Sequence, residues 1–124
     1  YIKSKNLTYH KYSDNENFNS DIILVDKMGI LNDIYAISDV VILGGAFEKI
    51  GGHNPIEPAY FGCKLISGKN IFNQKSLFEC INNYYLVEEN ELGNYLEKLE
   101  ELEKPSLTKA GSFEPIIKEI NKWL

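Results

Sequence analysis

Three short segments with strand character, the first two of them continuous apolar runs, constrain the fold of this 124-residue chain more than any other feature. They lie at residues 21–26, 40–43 and 63–67, and segments with helical patterning separate them. A continuous apolar run of this length is typical of a strand that is covered on both faces, as in a parallel sheet. Strands of this kind alternating with helices predict an α/β fold, namely a doubly wound parallel sheet of the Rossmann-like type.

The remaining elements have weaker signals. Alternating apolar and polar residues predict a strand at residues 7–12, and the polar stretch at 13–20 predicts a loop. Further helices and one short strand are expected, with the helices at 30–38, 54–62, 72–83, 91–103 and 113–124 and the strand at 84–87. Together these elements predict one domain over residues 1–124.

Composition excludes several classes of protein. The chain is 44% hydrophobic and 12% aromatic, which is ordinary for a globular protein and argues against disorder. Its net charge of −5 argues against nucleic acid as the main partner, because such binders usually present a basic face. No apolar run approaches the ~20 residues that span a bilayer. We therefore expect the chain to be soluble. Because it begins at Tyr1 and not at methionine, we also expect it to be a piece of a longer protein.

Metal and disulfide chemistry is not expected. Cys63 and Cys80 are too few for a disulfide scaffold, and we interpret them as small buried hydrophobic residues. No set of side chains has zinc-ligand spacing, and we interpret His10 as a strand-surface residue.

The loop after the second apolar run has the clearest binding chemistry. Its notable residues are, in chain order, Gly44, Gly45, Gly51, Gly52, His53, Asn54, Pro55, Ile56 and Glu57. The glycines allow sharp turns and close approach of a ligand. Asn54 suits the N-cap of a helix and Pro55 its first position. First-turn amides favour a phosphate, and the Glu57 carboxylate could bind the two hydroxyls of a ribose.

Each of these residues also has a purely structural interpretation. Glu57 could stabilise only its own helix, and Asn54 could be an ordinary cap, which does not exclude a ligand contact. His53 could either brace its loop or contact a ligand. Gly44 and Gly45 could serve tight packing alone.

The position of the loops predicts where a ligand would bind. In α/β sheets, ligands bind outside the carboxyl ends of the strands. Residues 27–30 follow the first apolar run, and residues 44–54 follow the second. If the two strands are neighbours, both loops open on the same side of the sheet and the pocket lies between them.

Five segments between residues 20 and 75 resemble a known family. They are Leu24-Val25-Asp26 with Met28-Gly29-Ile30-Leu31; Tyr35 with Ser38-Asp39; Gly44-Gly45-Ala46-Phe47; the run from Gly51 to Ala59; and Gly68 with Asn73. In this order and spacing they resemble the carboxy-terminal domain of 3-deoxy-manno-octulosonic acid (Kdo) transferase, a bacterial glycosyltransferase of the GT-B architecture. Outside that span the resemblance is one of fold.

The resemblance implies that this domain binds the donor CMP-Kdo without a metal or other cofactor. The nucleotide-binding residues that it implies are Met28, Gly29, Ile30, Asn54, Pro55, Ile56 and Glu57, supported by the loop with Gly44, Gly45, Gly51, Gly52 and His53. Many family members have an acidic residue in place of Ile30 and a proline in place of Lys69. A family arginine that helps to bind CMP lies before the matched region.

The resemblance also implies the activity of a longer protein. Kdo would be transferred, with inversion, to a lipid A precursor in lipopolysaccharide synthesis at the cytoplasmic face of the bacterial inner membrane. An absent amino-terminal domain would supply the acceptor site, the membrane contact and the glutamate general base. We therefore expect no catalytic residue in this chain and no activity from it alone.

Two other hypotheses fit the same residues. One is a GT-B enzyme of envelope synthesis that uses a UDP-sugar, which would prefer uracil to cytosine. The other is a non-catalytic nucleotide-binding module, because a fold alone does not determine function.

Overall fold

The computed structural model of the chain describes residues 3 to 108. These residues form two compact units, one within Tyr1–Ile34 and the other within Tyr35–Leu124. The helix predicted at residues 113–124 lies outside the described residues. Between residues 3 and 108, no helix combines the length and the apolar character that crossing a membrane requires.

The first unit contains a two-stranded parallel sheet. Its strands are β1 (Tyr9–Lys11) and β2 (Ile22–Leu24), with Tyr9 opposite Ile22. Both predicted strands are confirmed in position, but the prediction that β2 is covered on both faces is wrong, because Leu24 is 58% exposed. A unit of this size has too little chain to cover both faces of its sheet.

Two carboxylates hold β1 and β2 in register. Asp21 accepts hydrogen bonds from the amide and the hydroxyl of Thr8, at 2.8 and 2.7 Å. Beyond the other end of the strands, Asp26 accepts from the amide and the hydroxyl of Ser13, at 3.0 and 2.8 Å. Both pairs are separated by 13 residues, as are the paired residues of the strands. The two contacts therefore specify the same register.

His10 connects β1 to the loop at residues 13–20. Its Nε2 lies 3.1 Å from the carbonyl oxygen of Asn17, and its Nδ1 lies 2.8 Å from Ser20 Oγ. Because a carbonyl only accepts, Nε2 is the atom that donates. The prediction of a strand-surface residue is therefore wrong: His10 is half-buried and braces the loop.

The second unit is built around a three-stranded parallel sheet. From Leu31 onward, the helices and strands in chain order are α1 (Leu31–Ile37), β3 (Val40–Leu43), α2 (Ile56–Tyr60), β4 (Lys64–Gly68), α3 (Lys75–Phe78), β5 (Ile81–Asn82), β6 (Tyr84–Val87), α4 (Leu92–Glu97) and β7 (Ser106–Leu107). The sheet has the order β3-β4-β6, and β5 pairs with β7 antiparallel. The strands predicted at 40–43, 63–67 and 84–87 are confirmed in position, but the prediction that the strand at 40–43 is covered on both faces is wrong, because Ile42 in β3 is 43% exposed.

The hydrophobic core lies against the central strand β4. Its buried residues are Leu43, Ala59, Leu65, Phe78 and Ile81. Cys63 is fully buried as predicted, its thiol donates to the Tyr35 carbonyl oxygen at 3.2 Å, and desolvation raises the pKa of that thiol. Cys80 is only half-buried.

Three predicted helices are shorter than expected. Of residues 54–62, only Ile56–Tyr60 is α-helical. Of residues 72–83, only Lys75–Phe78 is α-helical, because Ile81–Asn82 pairs with Ser106–Leu107 and Asn83 adopts a φ of 59°. Of residues 91–103, the α-helix ends at Glu97 and a 3₁₀ turn follows. The ammonium group of Lys64 donates to the Leu99 carbonyl in that turn, which gives a side-chain partner to a carbonyl beyond the helix end.

The Ser13–Asp26 contact predicts a specific dependence of stability on pH. The hydroxyl and then the amide of Ser13 lower the pKa of Asp26. An acid whose folded pKa is lowered stabilises the fold above its unfolded pKa of about 3.9, and this contribution is lost as the pH falls through the folded pKa. We expect Ser13→Ala to raise the pKa of Asp26 and to flatten the fall in stability below about pH 4.

Carboxyl NMR titration and acid unfolding of the whole chain would measure both effects. Asp14→Asn is the matched control, since it removes a nearby carboxyl for which the described residues show no side-chain hydrogen bond. An unchanged Asp26 titration in Ser13→Ala would contradict the conclusion that the hydrogen bonds from Ser13 lower the pKa of Asp26.

Candidate functional site

Three segments meet at one edge of the three-stranded sheet. The glycine loop (residues 44–53) follows β3, the β4 exit (residues 68–73) begins at the last residue of β4, and residues 88–91 follow β6. Because the three strands are parallel, their carboxyl ends lie at the same edge. This is the edge where α/β folds bind ligands.

The glycine loop turns back closely on itself. Gly45 and Gly51 have φ angles of 80° and 103°, which residues with a side chain rarely adopt. A Cβ added to Gly45 would lie 2.3 Å from the carbonyl oxygen of Gly51. Glycine is therefore required at both positions by conformation and, at Gly45, by backbone contact as well.

Two asparagines after β4 bind the glycine loop. Asn73 Oδ1 accepts from the Gly52 amide at 2.8 Å, and Asn73 Nδ2 donates to the Gly52 carbonyl at 3.0 Å. The backbone amide and side-chain Nδ2 of Asn70 both donate to the Ala46 carbonyl, at 2.9 and 3.1 Å. At Gly68, an added Cβ would lie 2.2 Å from the Ala46 carbonyl carbon. The loop and the β4 exit are thus in direct backbone contact.

Gly68 and Asn73 belong to the segments that resemble the family, but the sequence does not predict that Asn70 or Asn73 lies in the site. The available signal was the pair of asparagines that follows a glycine at the end of a predicted strand. The prediction of a helix from residue 72 hid that signal, because it placed Asn73 inside a regular element.

Asn54 lies one residue before the N-cap of α2, which is Pro55, so the predicted helix start is one residue too early. Its Oδ1 accepts from the Ile56 amide at 3.0 Å, and its Nδ2 donates to Glu57 Oε1 at 3.2 Å. The Ala59 amide donates to the Pro55 carbonyl, so helical hydrogen bonding starts directly after Asn54. Glu57 is exposed and is held beside its own helix start.

The first turn of α2 offers fewer free amide donors than the sequence predicts. Pro55 and Pro58 have no backbone N–H, and the Ile56 amide already donates to Asn54. Of these first-turn positions, Glu57 is the one whose amide makes no hydrogen bond with the described residues. With five residues, α2 is also a short helix, so its dipole is small.

His53 lies over the two glycines that begin the loop. Its Cδ2 is 3.9 Å from the position of a Cβ on Gly44 and 3.6 Å from one on Gly45. The ring is exposed and makes no hydrogen bond with the residues that the structure describes. The choice between bracing and ligand contact stays open.

Met28, Gly29 and Ile30 belong to the first unit. Met28 is 95% exposed, Gly29 has a φ of 84°, and the Ile30 carbonyl accepts from the Ile34 amide at the start of α1. An added Cβ on Gly29 would meet nothing within 4 Å. That these residues share a pocket with Asn54 and Glu57 stays a prediction.

Lys69 connects the β4 exit with the segment after β6. Its ammonium group lies 3.2 Å from a Glu88 carboxylate oxygen and 3.5 Å from one of Glu91. Bonding to Glu88 raises the pKa of Lys69, and the Glu88 amide lowers the pKa of Glu91. Within residues 3 to 108, no three His, Cys, Asp or Glu side chains come together to hold a metal ion.

Known proteins resemble this chain over part of its length. It is 53% identical over 72 residues to a bifunctional glycosyltransferase/methyltransferase of Fusobacterium nucleatum, a match that covers 55% of this chain and 11% of that protein. It is 40% identical over 82 residues to the 3-deoxy-D-manno-octulosonic acid transferase of Haemophilus influenzae, covering 64% and 19%. The match thus spans under a fifth of the length of these curated relatives. No protein-family model matches the chain.

A solved structure resembles it as well. The crystal structure of the C-terminal CMP-Kdo binding domain of WaaA from Acinetobacter baumannii superposes with a TM-score of 0.67 at 26% identity, covering 81% of this chain and 56% of that one. The predicted resemblance to the carboxy-terminal domain of Kdo transferases and the predicted α/β Rossmann-like fold are therefore confirmed.

The conformation of the glycine loop predicts that two adjacent substitutions change the free energy of unfolding by different amounts. A Cβ on Gly51 would lie 2.7 Å from Asn73 atoms, and its φ is unfavourable for alanine, so we expect Gly51→Ala to lose about 2 kcal/mol or more of unfolding free energy. A Cβ on Gly52 makes only ordinary contacts, at 3.5 Å from Ala46, so we expect Gly52→Ala to stay within about 1 kcal/mol. Chemical denaturation measures both. Equal losses would contradict the described loop conformation.

Proposed function

We propose that this chain is the donor-binding domain of a glycosyltransferase and that it binds CMP-Kdo. The observation that carries the proposal is where the family-matching residues lie. The glycine loop, the start of α2 and the β4 exit meet at the carboxyl edge of the parallel sheet. Support also comes from the similarity to a domain described as CMP-Kdo binding.

The proposed role of Glu57 is to bind the ribose. Its Oε1 accepts from Asn54, and the exposed carboxylate has a second oxygen to accept from a sugar hydroxyl. The Asn54 contact restricts the side chain, which lowers the entropy lost on binding. A carboxylate is an acceptor for both hydroxyls of a diol, and hydrogen bonds to charged groups contribute about 1.5–3 kcal/mol.

Backbone groups have the larger part in the rest of the proposed site. The chain has no arginine to bind phosphate bidentately. For the phosphate side we propose the Glu57 amide as the donor, with Asn54, Pro55 and Ile56 forming the turn that positions it. For the base we propose Met28, Gly29 and Ile30, whose backbone could read the edge of cytosine without an acidic side chain at Ile30.

We further propose that the whole protein transfers Kdo, with inversion, to a lipid A precursor at the inner membrane. In this proposal a second domain provides the acceptor site, the general base and the membrane contact. The domain described here would bind the donor and stabilise charge that develops on the departing CMP, a role for preorganised donors in a closed cleft.

The proposal predicts selective binding of CMP by the 124-residue chain. In NMR titrations with CMP and with UMP, we expect CMP-selective shifts at Met28 to Ile30 and at Asn54 to Glu57. Glu57→Gln retains the acceptor for Asn54 but removes the charge, so we expect about a tenfold weaker affinity for CMP. Glu97→Gln, on the exposed face of α4, is the matched control and should bind as the parent does.

Other outcomes would identify the competing hypotheses. Selective shifts with UMP would favour a UDP-sugar enzyme. Equal binding of both nucleotides, unaffected by Glu57→Gln, would favour a nucleotide-binding module with no role for this edge.

The proposal also predicts that the 124-residue chain has no transferase activity by itself. The general base and the acceptor site are assigned to another domain, so binding and turnover should separate. A CMP-release assay with CMP-Kdo and a lipid A precursor measures this. Acceptor-dependent turnover would overturn the division of roles.

A further inference from the structure

The side chain of Asn73 satisfies both backbone groups of one buried residue. Its Oδ1 accepts from the Gly52 amide at 2.8 Å, and its Nδ2 donates to the Gly52 carbonyl at 3.0 Å. Because Gly52 is buried, loss of Asn73 would leave two desolvated backbone groups without these partners.

The approach of Asn73 also depends on Gly51. The amide carbon and oxygen of Asn73 lie 2.7 Å from the position of a Cβ on Gly51, and its nitrogen lies 2.9 Å away. Any side chain at Gly51 would therefore displace the amide. The glycine pair and Asn73 form one unit, in which glycine provides the space and asparagine provides the hydrogen bonds.

This unit is adjacent to the start of α2. Gly52 is two residues before Asn54, whose side chain bonds to the Ile56 amide and to Glu57. The path from Asn73 to the Glu57 carboxylate therefore consists of hydrogen bonds and a short stretch of backbone. A shift of the Gly52 peptide would move the residue that orients Glu57.

We infer that Asn73 is a positioning residue for nucleotide binding, which sets the placement of Asn54 and Glu57 by binding the Gly52 peptide. This inference rests on the proposed function. It adds to the proposed contacts a residue whose two polar side-chain atoms are both engaged by the loop.

Asn73→Asp tests the inference because its effect should reverse with pH. Near neutral pH, the new carboxylate accepts from the Gly52 amide but places an oxygen against the Gly52 carbonyl oxygen, which repels it. A carboxyl facing an acceptor has a raised pKa. When protonated, the new side chain donates to that carbonyl and restores both hydrogen bonds.

We expect the Kd of Asn73→Asp for CMP to exceed that of the parent chain about tenfold near pH 7.5 and to come within about threefold near pH 4.5. Dividing the Kd of Asn73→Asp by the Kd of the parent chain at the same pH cancels the effect of the titration of CMP itself. The Gly52 amide resonance of the nucleotide-free variant should return toward its parent position over the same pH range. Asn94→Asp, which adds the same charge on exposed α4, should show neither effect.

The outcomes separate the inference from the proposed function. If the parent binds CMP and Asn73→Asp binds equally well at both pH values, the inference is overturned. If the variant loses affinity with no recovery at low pH, while its amide spectrum outside the loop is unchanged, the hydrogen-bond mechanism is overturned. If the parent does not bind CMP but the Gly52 resonance follows the predicted pH dependence, the proposed function fails and Asn73 has a role in loop structure alone.

Discussion

The second unit depends on the close contact between the β4 exit and the loop after β3. At Gly68 and at Gly45 the backbones approach so closely that a Cβ would overlap main-chain atoms. Asn70 and Asn73 add hydrogen bonds to the glycine loop, whereas Lys69 forms an ion pair with Glu88, which follows β6. The exposed ion pair contributes little because solvent screens it, but the Asn73 bonds satisfy buried peptide groups, whose loss costs about 1–3 kcal/mol each. The asparagines therefore determine the loop conformation, and the ion pair has a minor effect.

The first unit solves a related problem with carboxylates. A two-stranded sheet has few cross-strand bonds to specify its register, and a one-residue slip would exchange its faces. Asp21 and Asp26 each accept an amide and a hydroxyl from the partner side, at the register of the strands. The acceptors in these contacts are carboxylates, so the contribution of the contacts to stability depends on ionisation. The Asn73 contact is between neutral groups and is independent of pH over the physiological range.

The sequence predicts the strands better than it predicts the helices and the site. The strands at 40–43 and 84–87 match the structure in position, although in each of them only the last residue is buried. The helix predicted at 72–83 fails because Asn73, β5 and Asn83 each take part in contacts with distant segments, which periodicity does not report. His10 was misassigned for the same reason, since its partners come from the following loop. Motif spacing identified Asn54 and Glu57, and their hydrogen bond to each other is local in sequence.

Two prolines determine what kind of anion site the start of α2 can be. A longer helix with free amides could bind phosphate through its dipole and several N–H groups. Here Pro55 and Pro58 provide none, Asn54 uses the Ile56 amide, and the helix has five residues. In the proposed site, an anion at this turn would be held by oriented side chains more than by the helix dipole. An oriented side chain is only as well placed as the backbone that precedes it, which is why the peptide held by Asn73 matters for Glu57.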